Sequence, residues 1–261
     1  MSTAFLGGGK MGEALLAGLI RGGTSAAEIR VVERDVERAA YLTRTYGISA
    51  VDTAEVAEAG TIVVAVKPPV VEELLASLGL RPDQLVVSVA AGISLAKLEA
   101  AAGKDVPVVR SMPNTPALVG QGMIAISAGS SATAVHLDDA ERLLATAGKV
   151  VRVPESQLDA VTAVSGSGPA YFFLVVEALI DAGVVFGLPR ALASELAVQT
   201  ALGAATMMAE TGEHPVALKE AVTSPGGTTI AALRALEAGG LRAAIADAVE
   251  AATRRSAELG G

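Results

Sequence analysis

The sequence predicts an α/β protein whose N-terminal part is a Rossmann-type, doubly wound parallel sheet and whose C-terminal part is all helical. Short β-branched runs alternate with segments of helical apolar spacing up to about Val153, which is typical of a parallel sheet covered by helices. After Pro154 there is no convincing strand, and long segments rich in Ala, Leu and Glu indicate helices. We therefore expect two domains, residues 1–153 and 154–261.

The expected strands are short, mostly apolar runs, and most of the connections between them have apolar residues at helical spacing. In chain order the strands are TAFLG from Thr3, IRVVE from Ile29, TIVVAV from Thr61, LVVSV from Leu85, PVVR from Pro107, MIAIS from Met123 and KVVRV from Lys149. Turn signals divide the C-terminal helices at GLP (Gly187–Pro189), EHP (Glu213–Pro215) and SPGG (Ser224–Gly227).

Composition excludes several classes of protein. With 51% hydrophobic residues, the chain is not a disordered one. Its net charge of −8 argues against nucleic acid and anionic membranes as partners, because both attract clustered Lys and Arg. The absence of cysteine removes disulfides, a thiol nucleophile and sulfur ligands for metals, and we expect no metal site. The N-terminus lacks the features of a signal peptide, so we expect a cytoplasmic protein.

One apolar segment, Tyr171 to Leu188, is long enough to span a membrane. It carries Glu177 and Asp181 near its middle, and charges in that place disfavour a membrane span. The segment is also apolar on more faces than one surface helix needs. We therefore expect this helix to be buried between chains of a homo-oligomer.

Three adjacent glycines follow the first strand and precede a helix expected from about Met11 to Arg21. Gly7, Gly9 and Gly12 form G-x-G-x-x-G in the strand–turn–helix context in which this motif binds dinucleotides. The first glycine makes a tight turn, the second lets a pyrophosphate approach, and the third lets the helix pack closely on the strand. The helix N-terminus then offers free N–H donors to the phosphates.

The type of dinucleotide is ambiguous at the end of the second strand. Glu33, 21 residues after Gly12, can accept a hydrogen bond from the ribose 2′-hydroxyl of NAD. Its neighbour Arg34 can pair with the 2′-phosphate of NADP or stack on adenine. Two later loops, AVKPP (Ala65–Pro69) and RSMPNTP (Arg110–Pro116), contain prolines that suit a rigid wall beside a nicotinamide ring, although each could be an ordinary loop.

The helical domain contains SGSGPAY (Ser165–Tyr171) and TSPGGTTI (Thr223–Ile230). We expect Ser224 to cap a helix that begins at Pro225, and hydroxyl groups around that helix start would form an uncharged cradle for a carboxylate. A plain helix cap is the alternative. After Val151 the only lysine is Lys219 and the only histidine is His214, which we expect at a helix end. This inventory suits hydride transfer to an imine, which needs little proton transfer.

Seven motifs together resemble the pyrroline-5-carboxylate reductase family over nearly the whole chain and in the family's order. They are FLGGGKMGEAL, AVKPP, RSMPNTPA, TAVSGSGPAY, GLPR, HPVALKEAVTSPGGTTI and LEAGGLRAA. The resemblance implies NAD(P)H-dependent reduction of 1-pyrroline-5-carboxylate to L-proline, the last step of proline biosynthesis. It also implies a homodimer joined through the helical domain, within a larger ring of dimers.

The resemblance further implies site residues. The implied cofactor residues are Gly7, Gly8, Gly9, Lys10, Met11, Gly12, Glu33, Arg34, Asp52, Ala65, Val66, Lys67, Pro68, Met112, Pro113 and Asn114. The implied substrate residues are Ser224, Gly226, Gly227, Thr228 and Thr229, with Thr229 as the catalytic hydroxyl near the substrate nitrogen.

Two positions depart from the family's pattern. Glu33 stands where many members have a small hydroxyl residue, and Asp52 stands where members often have asparagine. Both add negative charge beside a 2′-phosphate. The resemblance and Arg34 favour NADPH, and NADH is the alternative.

Two other functions stay open. A reductase of another small imino or hydroxy acid could share this plan, but hydroxyacid dehydrogenases normally rely on a lysine in the helical domain, and Lys219 lies in a different motif. A non-catalytic dinucleotide-binding protein would have no need for the hydroxyl groups of SPGGTT.

Overall fold

The computed structural model describes residues 2–56 and 58–260, which form eight strands and twelve α-helices. The strands are β1 (Thr3–Leu6), β2 (Ile29–Val32), β3 (Ser49–Ala50), β4 (Thr61–Val64), β5 (Leu85–Ser88), β6 (Val108–Met112), β7 (Gly122–Ala128) and β8 (Gly148–Arg152). The helices are α1 (Lys10–Arg21), α2 (Val36–Tyr46), α3 (Thr53–Val56), α4 (Val71–Ser77), α5 (Leu95–Ala102), α6 (Ala134–Leu144), α7 (Leu158–Val161), α8 (Gly168–Val185), α9 (Arg190–Thr211), α10 (Pro215–Ala221), α11 (Thr228–Ala238) and α12 (Leu241–Gly260).

All eight strands form one sheet, with the order β3-β2-β1-β4-β5-β6-β7-β8. The first six follow the order 3-2-1-4-5-6 of dinucleotide-binding sheets, in which ligands bind where the order reverses, between β1 and β4. These six strands are parallel to one another. The predicted Rossmann-type sheet followed by a helical part is confirmed.

The last two strands run in the direction opposite to the first six, which the sequence does not predict. The pairing of β6 with β7 is antiparallel. The connection between them contains only a 3₁₀ turn over Thr115–Val119, whereas a parallel return needs a crossover of a dozen or more residues. Helix α6 supplies such a crossover to β8, which is parallel to β7.

Apolar side chains cover both faces of the sheet. In β1 the side chain of Phe5 belongs to the core on one face, while Ala4 and Leu6 belong to the core on the other. This alternation follows from the period of two along a strand. Strands buried on both faces form a rigid base for the loops at their carboxyl ends, where the sequence places the dinucleotide site.

Packing divides the chain into two compact units. The first comprises Met1–Ser167 and Ala251–Gly261, and the second comprises Gly168–Glu250. The predicted division at residue 153 follows the end of the sheet, whereas the packing division lies after α7 and a π-helical turn, Thr162–Gly166.

The last part of α12 packs with the first unit through specific contacts. The hydroxyl of Ser256 is buried and donates to Asp159 Oδ1 at 2.7 Å. Near the end of the helix, Lys97 Nζ donates to the carbonyl oxygen of Gly260 at 3.3 Å. Helix α12 therefore begins in one unit and ends in the other.

The second unit has almost no apolar core of its own. Among its described residues, the buried hydrophobic side chains are those of Ala193 and Ala197 alone. Large apolar side chains are instead exposed, and Phe186 reaches 87% exposure. The helical run Glu155–Val185 is long and apolar enough to cross a membrane, judged by length and composition. The exposed apolar side chains of these helices need to be buried against another surface, because the small core of the unit does not bury them.

Candidate functional site

The glycine loop after β1 lies at the carboxyl edge of the sheet. Gly7 has a φ of +98°, and a Cβ on it would lie 2.7 Å from the carbonyl oxygen of Ala65, which follows β4. A Cβ on Gly12 would overlap the carbonyl oxygen of Gly7. A Cβ on Gly9, by contrast, would meet no atom within 4 Å. The loop is therefore closed around Gly7 and Gly12 and open at Gly9.

Helix α1 begins directly beside this open space. It starts at Lys10 with Gly9 as its N-cap, one residue before the predicted start, and it has no side-chain cap. The first N–H groups of a helix have no partner within the helix, and the helix dipole adds partial positive charge there. This end of α1 can therefore bind an anionic group such as a pyrophosphate.

The carboxylate of Glu33 faces the same loop. Its Oε2 accepts a hydrogen bond from the N–H of Gly8 at 2.9 Å, and its Oε1 accepts one from the N–H of Asp35 at 3.1 Å. Arg34 is exposed beside it and borders a cavity of about 430 Å³. The other residues that line this cavity are Thr53, Ala54, Val70, Glu73, Leu74, Ser77 and Leu78.

The remaining predicted cofactor residues lie in loops at this edge, because β3, β4 and β6 are parallel to β1 and β2 in the sheet. Asp52 is exposed after β3, and Lys67 is exposed before the short 3₁₀ helix that begins at Pro68. Val66 is partly buried, and Pro113 is buried directly after β6. The structure thus brings the predicted cofactor residues to one edge of the sheet.

Asn114 has a structural contact that the sequence does not reveal. The residue is 9% exposed; its Nδ2 donates to the carbonyl oxygen of Ser165 at 3.0 Å, and its Oδ1 accepts from the N–H of Met123 at 2.9 Å. It thereby joins the loop after β6 to the π-helical turn Thr162–Gly166, against which Met112 also packs. The amide of Asn114 is occupied within the chain, so its cofactor contact stays a prediction.

The substrate motif lies in the second unit and differs from the expected helix cap. Ser224 does not cap a helix that begins at Pro225; that expectation is wrong. Gly226 has a φ of +68°, which interrupts helical geometry, and the N–H of Gly227 donates to the carbonyl oxygen of Ser224 at 3.1 Å in a turn. Helix α11 begins only at Thr228, with Gly227 as an N-cap that has no side-chain hydrogen bond.

This late helix start leaves several polar groups free. In the part of the chain that the structure describes, no hydrogen bond is found for the hydroxyl groups of Ser224, Thr228 and Thr229. The first N–H groups of α11 also have no partner within the helix. Hydroxyl and N–H donors at one helix start form an uncharged site that can bind a carboxylate.

The histidines have structural roles at helix starts. His214 is the N-cap of α10, where its Nδ1 accepts a hydrogen bond from the N–H of Val216 at 3.3 Å, so its expected place at a helix end is confirmed. His136 Nδ1 accepts from the N–H of Thr133 at 3.1 Å at the start of α6. Neither arrangement is that of a catalytic acid or base.

Two family models match the chain in succession. Residues 2–92 match the model described as NADP oxidoreductase, coenzyme F420-dependent, and residues 155–259 match the model described as pyrroline-5-carboxylate reductase dimerisation.

Curated relatives extend this match to the full length. The chain is 49% identical over 266 residues to a pyrroline-5-carboxylate reductase of Corynebacterium melassecola, covering 99% of this chain and 98% of the relative. The chain belongs to the pyrroline-5-carboxylate reductase family. A family member from Synechocystis is likewise 49% identical over 264 residues, covering 100% of this chain and 98% of the relative. The resemblance inferred from the motifs is confirmed.

Solved structures of the pyrroline-5-carboxylate reductase family have the same fold. The structure from Coxiella burnetii aligns with a TM-score of 0.95 at 36% identity, covering 100% of this chain and 98% of that one. The structure from Plasmodium falciparum, which has NADP bound, aligns with a TM-score of 0.88 at 30% identity over the same shares. A reduced nicotinamide dinucleotide as the cofactor class is therefore supported by structure as well as by sequence.

Proposed function

We propose that this chain reduces 1-pyrroline-5-carboxylate to L-proline by transferring a hydride from NAD(P)H to the carbon of the C=N bond. The observation that carries the proposal is the 49% identity to curated reductases over essentially the whole chain. The geometry agrees with it, because the first unit has an anion site suited to a dinucleotide and the second has one suited to a small carboxylate.

In the first unit, the pyrophosphate occupies the open space at Gly9 and accepts hydrogen bonds from the N–H groups at the start of α1. The cavity bordered by Arg34 receives the adenosine, since it lies beside the end of β2, where the ribose binds in this fold. The loop Ala65–Pro68 forms the wall beside the nicotinamide ring.

On the substrate side, the start of α11 binds the carboxylate. The N–H group of Thr228, at the start of the helix, and the hydroxyl of Ser224 donate to its oxygens. The hydroxyl of Thr229 forms a hydrogen bond with the substrate nitrogen. A threonine is a poor acid, so we assign it the role of orienting the nitrogen rather than of supplying a proton. A protonated imine already carries the nitrogen proton, and the arriving hydride completes the secondary amine of proline.

NADPH is the proposed cofactor, with NADH as the alternative. Arg34 is exposed and able to pair with a 2′-phosphate, whereas Glu33 and Asp52 place negative charge near it.

The test is oxidation of each dinucleotide at 340 nm in the presence of 1-pyrroline-5-carboxylate. We expect turnover with both and a higher kcat/KM with NADPH. A higher value with NADH would show that Glu33 dominates the ribose site. The absence of turnover with either, despite binding of the dinucleotide, would contradict the proposed reaction and favour another small imino or hydroxy acid.

We propose that the second unit joins two copies of the chain in a homodimer, and that these dimers assemble into a larger oligomer. Its exposed apolar side chains and its small core support this proposal, as does a groove of about 820 Å³ lined largely by apolar residues of α11 and α12. Asp181 in the apolar run pairs with Arg190 at the start of α9 at 2.8 Å, and such an ion pair suits a protein interface better than lipid. We also propose a cytoplasmic location, without membrane or nucleic-acid partners.

Light scattering in detergent-free buffer tests the assembly. We expect a uniform species whose mass is an even multiple of 26.1 kDa. A monomer at micromolar concentration would contradict the dimer, and aggregation that only detergent prevents would contradict the exclusion of a membrane.

A further inference from the structure

Side chains of opposite charge hold the peptide groups of Gly8 from two sides. Gly8 is buried between the first two glycines of the dinucleotide motif. Its N–H donates to Glu33 Oε2 at 2.9 Å, and its carbonyl oxygen accepts from Arg38 Nε at 2.7 Å. Glu33 follows β2, and Arg38 lies in the first turn of α2. Both polar groups of this residue are therefore fixed by the segment that follows β2.

Neighbouring side chains hold Arg38 in place. Its Nη2 pairs with Glu13 Oε2 in the first turn of α1, and its guanidinium lies 5.1 Å from the ring centroid of Tyr41. The hydroxyl of Tyr46 donates to Glu13 Oε1 at 2.8 Å. Burial raises the pKa of Glu13, but hydrogen bonds from the donors around it outweigh burial and lower the pKa below its ordinary value. Glu13 therefore stays charged at neutral pH and keeps Arg38 paired.

The loop needs such contacts because of its composition. Three adjacent glycines have more conformational freedom than any other residues, and ordering them on binding a ligand costs affinity. Gly9 has open space around it and has no side chain that could fix it. The hydrogen bonds of Glu33 and Arg38 with the backbone of Gly8 therefore fix the middle of the loop before a ligand binds.

We propose that Arg38 is a positioning residue for dinucleotide binding, which holds the Gly8 carbonyl so that the N–H groups at Gly9 and the start of α1 face the pyrophosphate. This inference rests on the proposed function, because it concerns the same dinucleotide site. Arg38 acts through the loop and touches no part of the ligand. Its effect is therefore equal for NADPH and NADH, whereas an arginine that binds the 2′-phosphate affects NADPH alone.

The test compares Arg38→Met with Arg44→Met, which removes the same charge from an exposed position on the same helix. Dissociation constants for NADPH and NADH are measured by nicotinamide fluorescence, and kcat is measured at saturating dinucleotide. For Arg38→Met we expect both constants to rise about tenfold, since a hydrogen bond to a charged group is lost. The ratio of the NADPH and NADH dissociation constants should change less than about twofold, and so should kcat. Arg44→Met should match the wild type.

A conservative variant and a second-site variant keep the test informative if Arg38→Met folds poorly. Arg38→Lys retains one cationic donor but not the planar fork that reaches both Gly8 and Glu13, so it should recover part of the affinity for both dinucleotides. Glu13→Gln leaves Arg38 in place without its charged partner and should weaken both dinucleotides by about threefold.

Three results would overturn the inference. Unchanged affinities in Arg38→Met would remove any role in binding. Weakening confined to NADPH would make Arg38 a ligand of the 2′-phosphate. A fall in kcat at saturation with unchanged dissociation constants would indicate a role in the chemical step. A wild-type chain that binds neither dinucleotide would instead overturn the proposed function itself.

Discussion

Gly9→Ala is expected to fold as stably as the wild type and to bind NADPH and NADH at least tenfold more weakly. The φ of Gly9 is −64° and its ψ is −175°, a conformation open to any L residue, and the added methyl group would meet no protein atom within 4 Å. The methyl group would instead occupy the space in which we place the pyrophosphate. A loss of about 1.4 kcal/mol or more of binding free energy corresponds to this tenfold change.

Gly12→Ala is the matched comparison, because the same methyl group is added to the same motif. There the added Cβ would overlap the carbonyl oxygen of Gly7, which is backbone and cannot move aside cheaply. Overpacking of this kind costs about 1–3 kcal/mol, so we expect a lower free energy of unfolding as well as weaker binding. Thermal unfolding and fluorescence titration separate the two variants. If Gly9→Ala bound NADPH normally, the pyrophosphate would have to lie elsewhere.

Thr229→Ala is expected to lower kcat by about 100-fold while the affinity for the dinucleotide stays unchanged. A single positioned hydrogen-bonding group lost from a reacting site typically has an effect of this size. Thr229 lies at the start of α11, and its hydroxyl has no hydrogen bond among the described residues, so its removal leaves no protein group unpaired.

Thr229→Ser is the control for the hydroxyl group, and we expect it to retain most of the turnover. Single-turnover measurements with NADPH at saturating 1-pyrroline-5-carboxylate give the rate of the chemical step directly. If Thr229→Ala turned over at the wild-type rate, the hydroxyl would have no role at the substrate nitrogen. If it lost affinity for NADPH instead, Thr229 would belong to the dinucleotide site.

The sheet and the glycine loop could be predicted from the sequence because both depend on local signals. Apolar runs mark the strands, and the spacing of Gly7, Gly9 and Gly12 between a strand and a helix indicates a dinucleotide-binding loop. The two-residue strand β3 has too few residues to show a pattern. The reversed direction of β7 depends on the length of a connection rather than on the strand's own residues.

The details of the candidate site depend on contacts between distant parts of the chain. Nothing near Arg38 in the sequence distinguishes it from a solvated surface charge, because its partners Gly8 and Glu13 are 30 and 25 residues away. Asn114 likewise has its partner Ser165 at a separation of 51 residues. Ser224 and Pro225 have the composition of a helix start, but the left-handed conformation at Gly226 delays the helix to Thr228.

The final helix has a consequence for the order in which the protein acquires its structure during synthesis. Residues of the sheet unit leave the ribosome first, yet this unit includes Ala251–Gly261, which emerge after the whole second unit. The hydrogen bond between Asp159 and Ser256, and that between Lys97 and the carbonyl oxygen of Gly260, can form only after the end of α12 has been synthesised. The N-terminal unit therefore reaches its final packing only after the whole second unit has been synthesised, and a chain released before Ala251 lacks these contacts of the first unit.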